Sequence, residues 1–260
     1  MAARPVQPAA LAIAGSDSGG GAGLQADLRT LTKLGVHGAS VVTCVTAQNP
    51  GAVSAIHPTP AKVVAAQLDS VFGSLPIRAV KTGMLYSRPI IDVVAERLVK
   101  RSRLPLVVDP VMISSSGTPL LKPSAAAALA RRLLPLARLV TPNLDEAATL
   151  AKQPLREPEA MREAARAIHE RFGCAVLVKG GHLKTTEAID LFYDGREEFL
   201  LSSPRAKRVS PPGTGCTYSA AITAFLAKGE PLPKAVERAK QHMAEAISAV
   251  YRAGKHRFLG

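Results

Sequence analysis

Disulfide chemistry has little to work with in this chain. Its three cysteines, Cys44, Cys174 and Cys216, are odd in number, far apart and never in a CxxC spacing, so neither a disulfide framework nor a zinc site is indicated. Long apolar runs are missing as well. No stretch reaches the roughly eighteen uninterrupted apolar residues of a membrane helix, and the N-terminus, MAARPVQPAA, has no apolar core ahead of a cleavage-like site. A cytoplasmic protein with no membrane partner and reduced thiols is expected. Aromatic residues are only 4% of the chain, which bears on its net charge of +13. A basic surface is the electrostatic footprint of phosphate-backbone binding, but here the basic residues stand in small separate groups. These are Lys100-Arg101 with Arg103, Arg205 with Lys207 and Arg208, and Lys255 to Arg257, and no reader motif accompanies them. The charge is read as solvating helix faces and favouring anionic small substrates, with no nucleic-acid partner.

Apolar residues make up 47% of 260, enough for one large core, and one domain over 1–260 with a flexible segment at 1–9 is expected. Short runs rich in Val, Ile and Leu stand at 10–14, 39–47, 77–81, 104–109, 139–141 and 174–179, and helix-like segments separate most of them. This is the rhythm of an α/β protein whose largely parallel sheet is covered on both faces. One hairpin interrupts it, 188–193 and 197–202 about the Asp194-Gly195 turn. Two long helices, near 214–228 and 233–252, close the chain.

In an open parallel sheet the ligand lies outside the carboxyl ends of the strands. The residues that end each run are GSDSGGGAG, TAQN, KTGM, DPVM, TPNLDE and KGGH. Six polar or glycine-bearing ends on one edge are better explained by one shared site than by six ordinary loops. The stretch AGSDSGGGAGLQAD, residues 14–27 with five glycines, reads either as a flexible turn or as backbone that approaches a ligand closely. It lacks the GK[ST] of a phosphate-binding loop. Its GAGLQA fits a dinucleotide fingerprint, but no acid follows between Asp27 and Asp69, which excludes that reading. No GxSxG elbow is present either. Late in the chain, GTG opens an apolar helix in PPGTGCTYSAA, 211–221. The N–H groups of Gly213, Thr214, Gly215 and Cys216 at a helix N-terminus form an anion hole. That position is expected to depress the Cys216 thiol pKa and suit it to act on a hydroxyl, unless Cys216 is simply a small residue at a helix start. Cys44 and Cys174, inside apolar runs, read as core.

GSDSGGGAGLQAD, VVTCVTAQN, KTGML, VVDPVM, TPNLDEA, VLVKGGH and GTGCTYSAA, in this order over residues 10–250, resemble the hydroxymethylpyrimidine and phosphomethylpyrimidine kinases of thiamin biosynthesis, members of the ribokinase superfamily. The resemblance implies a three-layer α/β/α sandwich with a mostly parallel central sheet, ATP and Mg²⁺ as cofactors, a small-molecule pyrimidine substrate and a homodimer. It implies that residues 15–27 wall the pyrimidine pocket. Gln48, just after the second strand, grips the ring, with Ala14, Gly15 and Val45 as neighbours, Asp27 near the substrate and Met84 as an apolar lid. Cys216 takes the role of catalytic base, and Lys179 neutralises phosphate. Asp109, Asn143 and Glu146 take that of the set holding the metal against the triphosphate, and residues 206–212 border the adenine.

The chain departs from this pattern in two places. Pro211-Pro212 stands where the family usually has Thr-His, which stiffens the approach to the anion hole. The ending AGKHRFLG is short and lacks the usual glycine-rich close, a change expected to touch only a surface contact. His182 in KGGH either orients phosphate or is structural. The expected activity is ATP-dependent phosphorylation of a hydroxymethyl-pyrimidine and then of its monophosphate. The alternatives are a pyridoxal kinase and a non-catalytic ligand-binding protein on the same scaffold.

Overall fold

Strands that are apolar on both faces can be satisfied only inside a sheet covered on both sides. The structure is a computed structural model describing residues 6–114, 116–153, 155, 158–181, 187–204 and 211–260, and it arranges the apolar runs in that way. Strands β1 (Ala9–Asp17), β2 (His37–Asn49), β4 (Ile77–Thr82), β5 (Leu106–Val108), β6 (Leu139–Val140) and β7 (Ala175–Lys179) lie parallel in the order β2-β1-β4-β5-β6-β7. An antiparallel strand β3 (Ala52–Pro58) extends one edge, and the hairpin of β8 (Glu187–Tyr193) and β9 (Glu198–Pro204) extends the other. The turn of that hairpin is the expected one: Gly195 has φ +91°, and Asp194 Oδ1 accepts the N–H groups of Arg196 and Glu197.

Alternation along the strands feeds two cores. Leu11, Ile13, Val80, Val108, Val140, Val176 and Val178 pack under α2 (Ala61–Ser74), α3 (Arg88–Val99), α4 (Pro123–Ala128), α5 (Leu144–Ala151) and α6 (Pro158–Phe172). Ala10, Ala79, Val107, Leu139 and Leu177 pack under α1 (Gly23–Lys33), α7 (Thr214–Ala227) and α8 (Leu232–Ser248). The result is the expected three-layer α/β/α sandwich. Residues 217–227 of α7 are all buried, because a helix apolar all round belongs in an interior. Its Ala, Ser and Thr side chains let it lie close to the small residues of β1 and β4. Among the described residues no helix is long and apolar enough to cross a membrane.

Three elements differ from the sequence reading. Strand β3 was not expected, because its residues are mostly exposed and carry no clean alternation. The second apolar run is longer than 39–47: β2 runs on to Asn49, so TAQN lies within the strand and pairs with β3. The last helix ends at Ser248 rather than near 252, and a hairpin of β10 (Tyr251–Ala253) and β11 (His256–Phe258) follows, turning at Gly254 with φ +59°. Tyr251 and Phe258 stack at 5.7 Å, and Leu259 is buried in the α7–α8 core.

Candidate active site

Because six strands run parallel, their carboxyl ends fall on one edge, and the motif residues collect there. The glycine-rich turn after β1 is organised by Asp17. Its carboxylate accepts the N–H of Gly19 and of Ala22, both at 2.8 Å, and its own N–H donates to Gln25 Oε1 at 2.8 Å. The glycines serve close approach. A β-carbon on Gly23 (φ +55°) would collide with Gly15 O, and one on Gly213 (φ +83°) would collide with Gly21 O. A β-carbon on Gly21 would lie 2.9 Å from Pro212 Cγ and 3.4 Å from the Phe258 ring. The turn therefore forms a seam with the start of α7, where the N-termini of α1 and α7 meet. Phe258 belongs to this seam, so the C-terminal hairpin reaches the glycine turn, contrary to the expectation that the short ending affects only a surface contact.

The first turn of α7 leaves its N–H groups outside the helix ladder, as any helix N-terminus does. Gly213 is the N-cap, and a β-carbon on Gly215 would stand 3.2 Å from Lys179 Nζ and 3.6 Å from Asp109 Oδ2. The proposed anion hole thus sits directly on a lysine ammonium. Lys179, at the end of β7, donates to Asp109 Oδ1 at 3.0 Å, and Asp109 also accepts from Thr141 Oγ1 at 3.3 Å and Ser219 Oγ at 3.2 Å. Burial favours the neutral forms of both groups, but their mutual attraction, joined at Asp109 by the charge of Lys81, outweighs it. The Asp109 carboxyl is held below the usual carboxylate range, and the Lys179 ammonium above its ordinary value, with Glu146 adding to the latter.

Asn143 and Glu146 form a capping box on α5. Glu146 N–H donates to Asn143 Oδ1, and Asn143 N–H donates to Glu146 Oε2, both at 2.9 Å. This gives them a structural reason to follow Thr-Pro at the end of β6, one the sequence reading did not supply. Glu146 is nonetheless poised for more. Burial raises its carboxyl to about 7, with Lys179 pulling it down and Asp109 pushing it up.

Other expected site residues form a second group. Cys44 Sγ and Met84 Sδ lie 3.7 Å apart, and a β-carbon on Gly15 would be 2.8 Å from the first and 3.2 Å from the second. Gly15, with Ala14 beside it, and Met84 are therefore brought together over a floor of sulfur. Gln48 is half-buried within β2 rather than after it, at a bulge where the register to β3 shifts. Its backbone N–H donates to Ser18 Oγ, whose hydroxyl donates back to Gln48 O, both at 2.8 Å, and Thr46 Oγ1 reaches its Oε1 at 3.2 Å. Val45 is 54% exposed and is no packing residue. Asp27, expected near the substrate, is fully buried on α1, where Lys81 Nζ of β4 donates to its Oδ1 at 2.6 Å. Burial raises the Asp27 carboxyl to about 6 against the pull of Lys81.

Cys216 also departs from expectation. It is half-buried, and its thiol is raised to about 11, not depressed. Desolvation is the largest cause. Lys81 and the Gly23 N–H favour the thiolate, and Asp27 and Asp109 oppose it. The helix N-terminus does not overcome that burial. All three cysteines are free.

Sequence reasoning missed Lys81, Thr141, Ser219 and a brace behind Lys179. In that brace Asp190 accepts Gly180 N–H at 3.1 Å and Lys240 Nζ at 2.8 Å, fixing the turn that follows β7. Lys81 was open to discovery, since a lysine that closes the apolar run 77–81 needs a partner if it is buried. His182 and residues 206–210 lie outside the described residues, as do Arg205, Lys207 and Arg208.

Residues 17–259 match the family described as phosphomethylpyrimidine kinase. A hydroxymethylpyrimidine/phosphomethylpyrimidine kinase of Rhizobium meliloti is 52% identical over 94% of this chain and 91% of its own length. A bifunctional thiamine biosynthesis protein of Geobacter sulfurreducens is 48% identical over 91% of this chain, which spans 48% of that protein. Among solved structures, the ADP complex of Bacillus subtilis pyridoxal kinase superposes with a TM-score of 0.90 at 36% identity, covering 98% of this chain and 97% of that one. A phosphomethylpyrimidine kinase of Clostridium difficile gives 0.83 at 41% identity, covering 93% and 100%.

Proposed function

The chain belongs to the phosphomethylpyrimidine kinase family, and from that premise we propose that it moves the γ-phosphoryl group of ATP onto the hydroxymethyl oxygen of an aminopyrimidine, and then onto the monophosphate so formed. The observation that carries the reading is the seat of Gly215 on Lys179 and Asp109. A helix N-terminus directly above an ammonium is a place for a transferring phosphoryl group, whose charge needs fixed donors in a dry site. The hydroxyl oxygen attacks phosphorus as the bond to the β-phosphate oxygen breaks. The electron pair leaves with ADP, and the hydroxyl proton passes to Cys216 Sγ. A thiol at about 11 holds its own proton at neutral pH, so this step gains rate as pH rises. Lys179 neutralises developing charge.

Asp109 and Glu146 flank Lys179, and two carboxylates with substrate phosphates and water suit Mg²⁺, which takes few protein ligands. The ion, when bound, would neutralise charge on the phosphate oxygens. Asn143 spends its side-chain oxygen on the capping box, so its part in this reading is to fix Glu146. Gln48, Gly15, Met84 and Cys44 form the ring end of the site. One kinase domain, acting in the cytoplasm as a homodimer, completes the proposal. The free thiols and the exposed edge at β3 beside Val45 support it.

A second reading, pyridoxal phosphorylation, is favoured by the close superposition with pyridoxal kinases. A panel of the aminopyrimidine, its monophosphate and pyridoxal, each incubated with ATP and Mg²⁺ and followed by product mass, distinguishes the two. Mono- and then diphosphorylated pyrimidine is the expected outcome. Turnover of pyridoxal with none of the pyrimidine overturns the first reading.

A further inference from the structure

Lys179 stands between two carboxylates. It donates to Asp109 Oδ1 at 3.0 Å, and it also lies opposite Asp190 in the antiparallel pairing of β7 with β8. Residues opposite each other in such a ladder carry their side chains on one face, with β-carbons about 5 Å apart. That face is the one under α7 and α8, because Leu177 and Phe192, two residues along each strand, pack into their core. Asp190 is thus an acid beside the ammonium on which Gly215 sits. Yet among the described residues neither a hydrogen bond nor an ion pair joins Asp190 to Lys179.

The two oxygens of Asp190 are engaged elsewhere. Oδ1 accepts Gly180 N–H at 3.1 Å, and Oδ2 accepts Lys240 Nζ of α8 at 2.8 Å. The Lys240 ammonium also donates to Ala188 O at 2.9 Å, so it is fastened to β8 at two points. The pair is nearly sealed, with side chains 5% exposed at Asp190 and 11% at Lys240. Such a pair is a poor source of stability, because desolvating two charges cancels most of their attraction. Around it α8 buries Val236, Ala239 and Met243 in the same core, where an apolar residue at position 240 would be at home. An apolar side chain could not do one thing that the lysine does, which is to neutralise an acid standing opposite Lys179.

We propose that Lys240 is a positioning residue for phosphoryl transfer: by holding Asp190 on the α8 side, it leaves the Lys179 ammonium to Asp109 and to the phosphoryl group at the start of α7. The proposal rests on Lys179 serving that group, as in the reading above. Lys240 touches neither substrate nor nucleotide. It acts through Asp190, which without it becomes a competing partner for Lys179.

The test compares the unmutated chain with Lys240→Met, Lys240→Arg and the double variant Asp190→Asn/Lys240→Met, measuring kcat and KM with ATP, Mg²⁺ and the aminopyrimidine and checking folding by urea unfolding. Lys240→Met should lower kcat about ten- to a hundredfold, as a misdirected transition-state donor does, with KM for the aminopyrimidine changed less than about twofold. The double variant should return to within about threefold of the unmutated kcat, because the asparagine oxygen still accepts Gly180 N–H while its neutral amide does not compete for an ammonium. Lys240→Arg keeps a cation on Asp190 and should also stay within about threefold. Should Lys240→Met fail to fold, Lys240→Gln, which can hydrogen-bond Asp190 without cancelling its charge, takes its place with the same expectations. A folded Lys240→Met or Lys240→Gln with unaltered kcat overturns the proposal, and so does a double variant as slow as the single one, the result that a purely structural brace would give. Failure of the underlying reading looks different: Lys179→Met would keep its kcat, whatever the Lys240 variants do.

Discussion

The two halves of the strand-end edge are built on different principles. Around β2, β1 and β4 the site is lined by Gly15, Cys44, Met84 and the amide of Gln48, and its one ionic pair, Lys81–Asp27, is sealed in the interior. Around β5, β6 and β7 the carboxylates of Asp109 and Glu146 are buried too, but Lys179 comes to the edge itself, with its side chain 16% exposed. In the proposed reading the first half offers shape and hydrogen bonding to the flat ring, and the second offers charge to the polyanion. The halves join at the seam of Gly21, Gly213 and Cys216, where the proposed transfer would cross.

Removing the ammonium from the charged half should have the largest effect. Lys179→Met is expected to lower kcat about 10²- to 10³-fold, as the loss of one transition-state donor does, while binding of the pyrimidine, measured by calorimetry, stays close to that of the unmutated chain. Equal loss of pyrimidine affinity would erase the division between the halves.

Gly213→Ala strikes the seam. The new methyl meets Gly21 O at a φ of +83°, so a loss of at least about 3 kcal/mol in unfolding free energy is expected, together with loss of activity. Urea unfolding with unaltered stability would show that the two turns are not in contact.

Glu146→Gln tests whether the charged half sacrifices stability for its chemistry. Burial raises the Glu146 carboxyl from 4.5 to about 7. The folded state therefore binds this proton more tightly than the unfolded state, and the associated stability is present below the unfolded value and lost as pH rises toward 7. Glutamine mimics the protonated form and can keep the cap. At pH 8 the ligand-free variant should be more stable, by on the order of 1–3 kcal/mol, and at pH 4 about equal, while its demand for Mg²⁺ rises and turnover slows. Equal melting curves at both pH values, or an unchanged metal requirement, would remove Glu146 from this role.

The smallest effect belongs to the ring half. Gln48→Leu should reduce a preference for the aminopyrimidine over pyridoxal by roughly ten- to a hundredfold in kcat/KM, the worth of one unpaired buried group. ATP binding should be unaffected. A ratio that does not move would assign ring selection to other residues.

The sheet was legible because its strands are apolar runs with glycine or polar ends, and the charged half because its motifs end those runs directly. Strand β3 and the C-terminal hairpin were not, since exposed short strands carry little apolar periodicity. The burial of Asp27 against Lys81 was not legible, because the partner is 54 residues away in sequence. The Cys216 pKa was misjudged because a helix dipole can be read from sequence, whereas the desolvation that outweighs it depends on α1, β4 and the glycine seam closing around the sulfur. Asn143 and Glu146 show the converse. Their spacing encodes a capping box, whereas the sequence reading gave them only a metal-binding role.

The central claim is that the hydroxyl proton goes to the thiolate form of Cys216, which burial keeps scarce at neutral pH, and the pH dependence of turnover tests it most directly. With ATP, Mg²⁺ and the aminopyrimidine at saturation, kcat of the unmutated chain should rise close to tenfold per unit between about pH 6.5 and 8.5, below a base titrating near 11. Cys216→Ala should be about 10²- to 10⁴-fold slower and nearly flat over the same range. A Cys216→Ala enzyme that keeps both the rate and the slope would contradict the account.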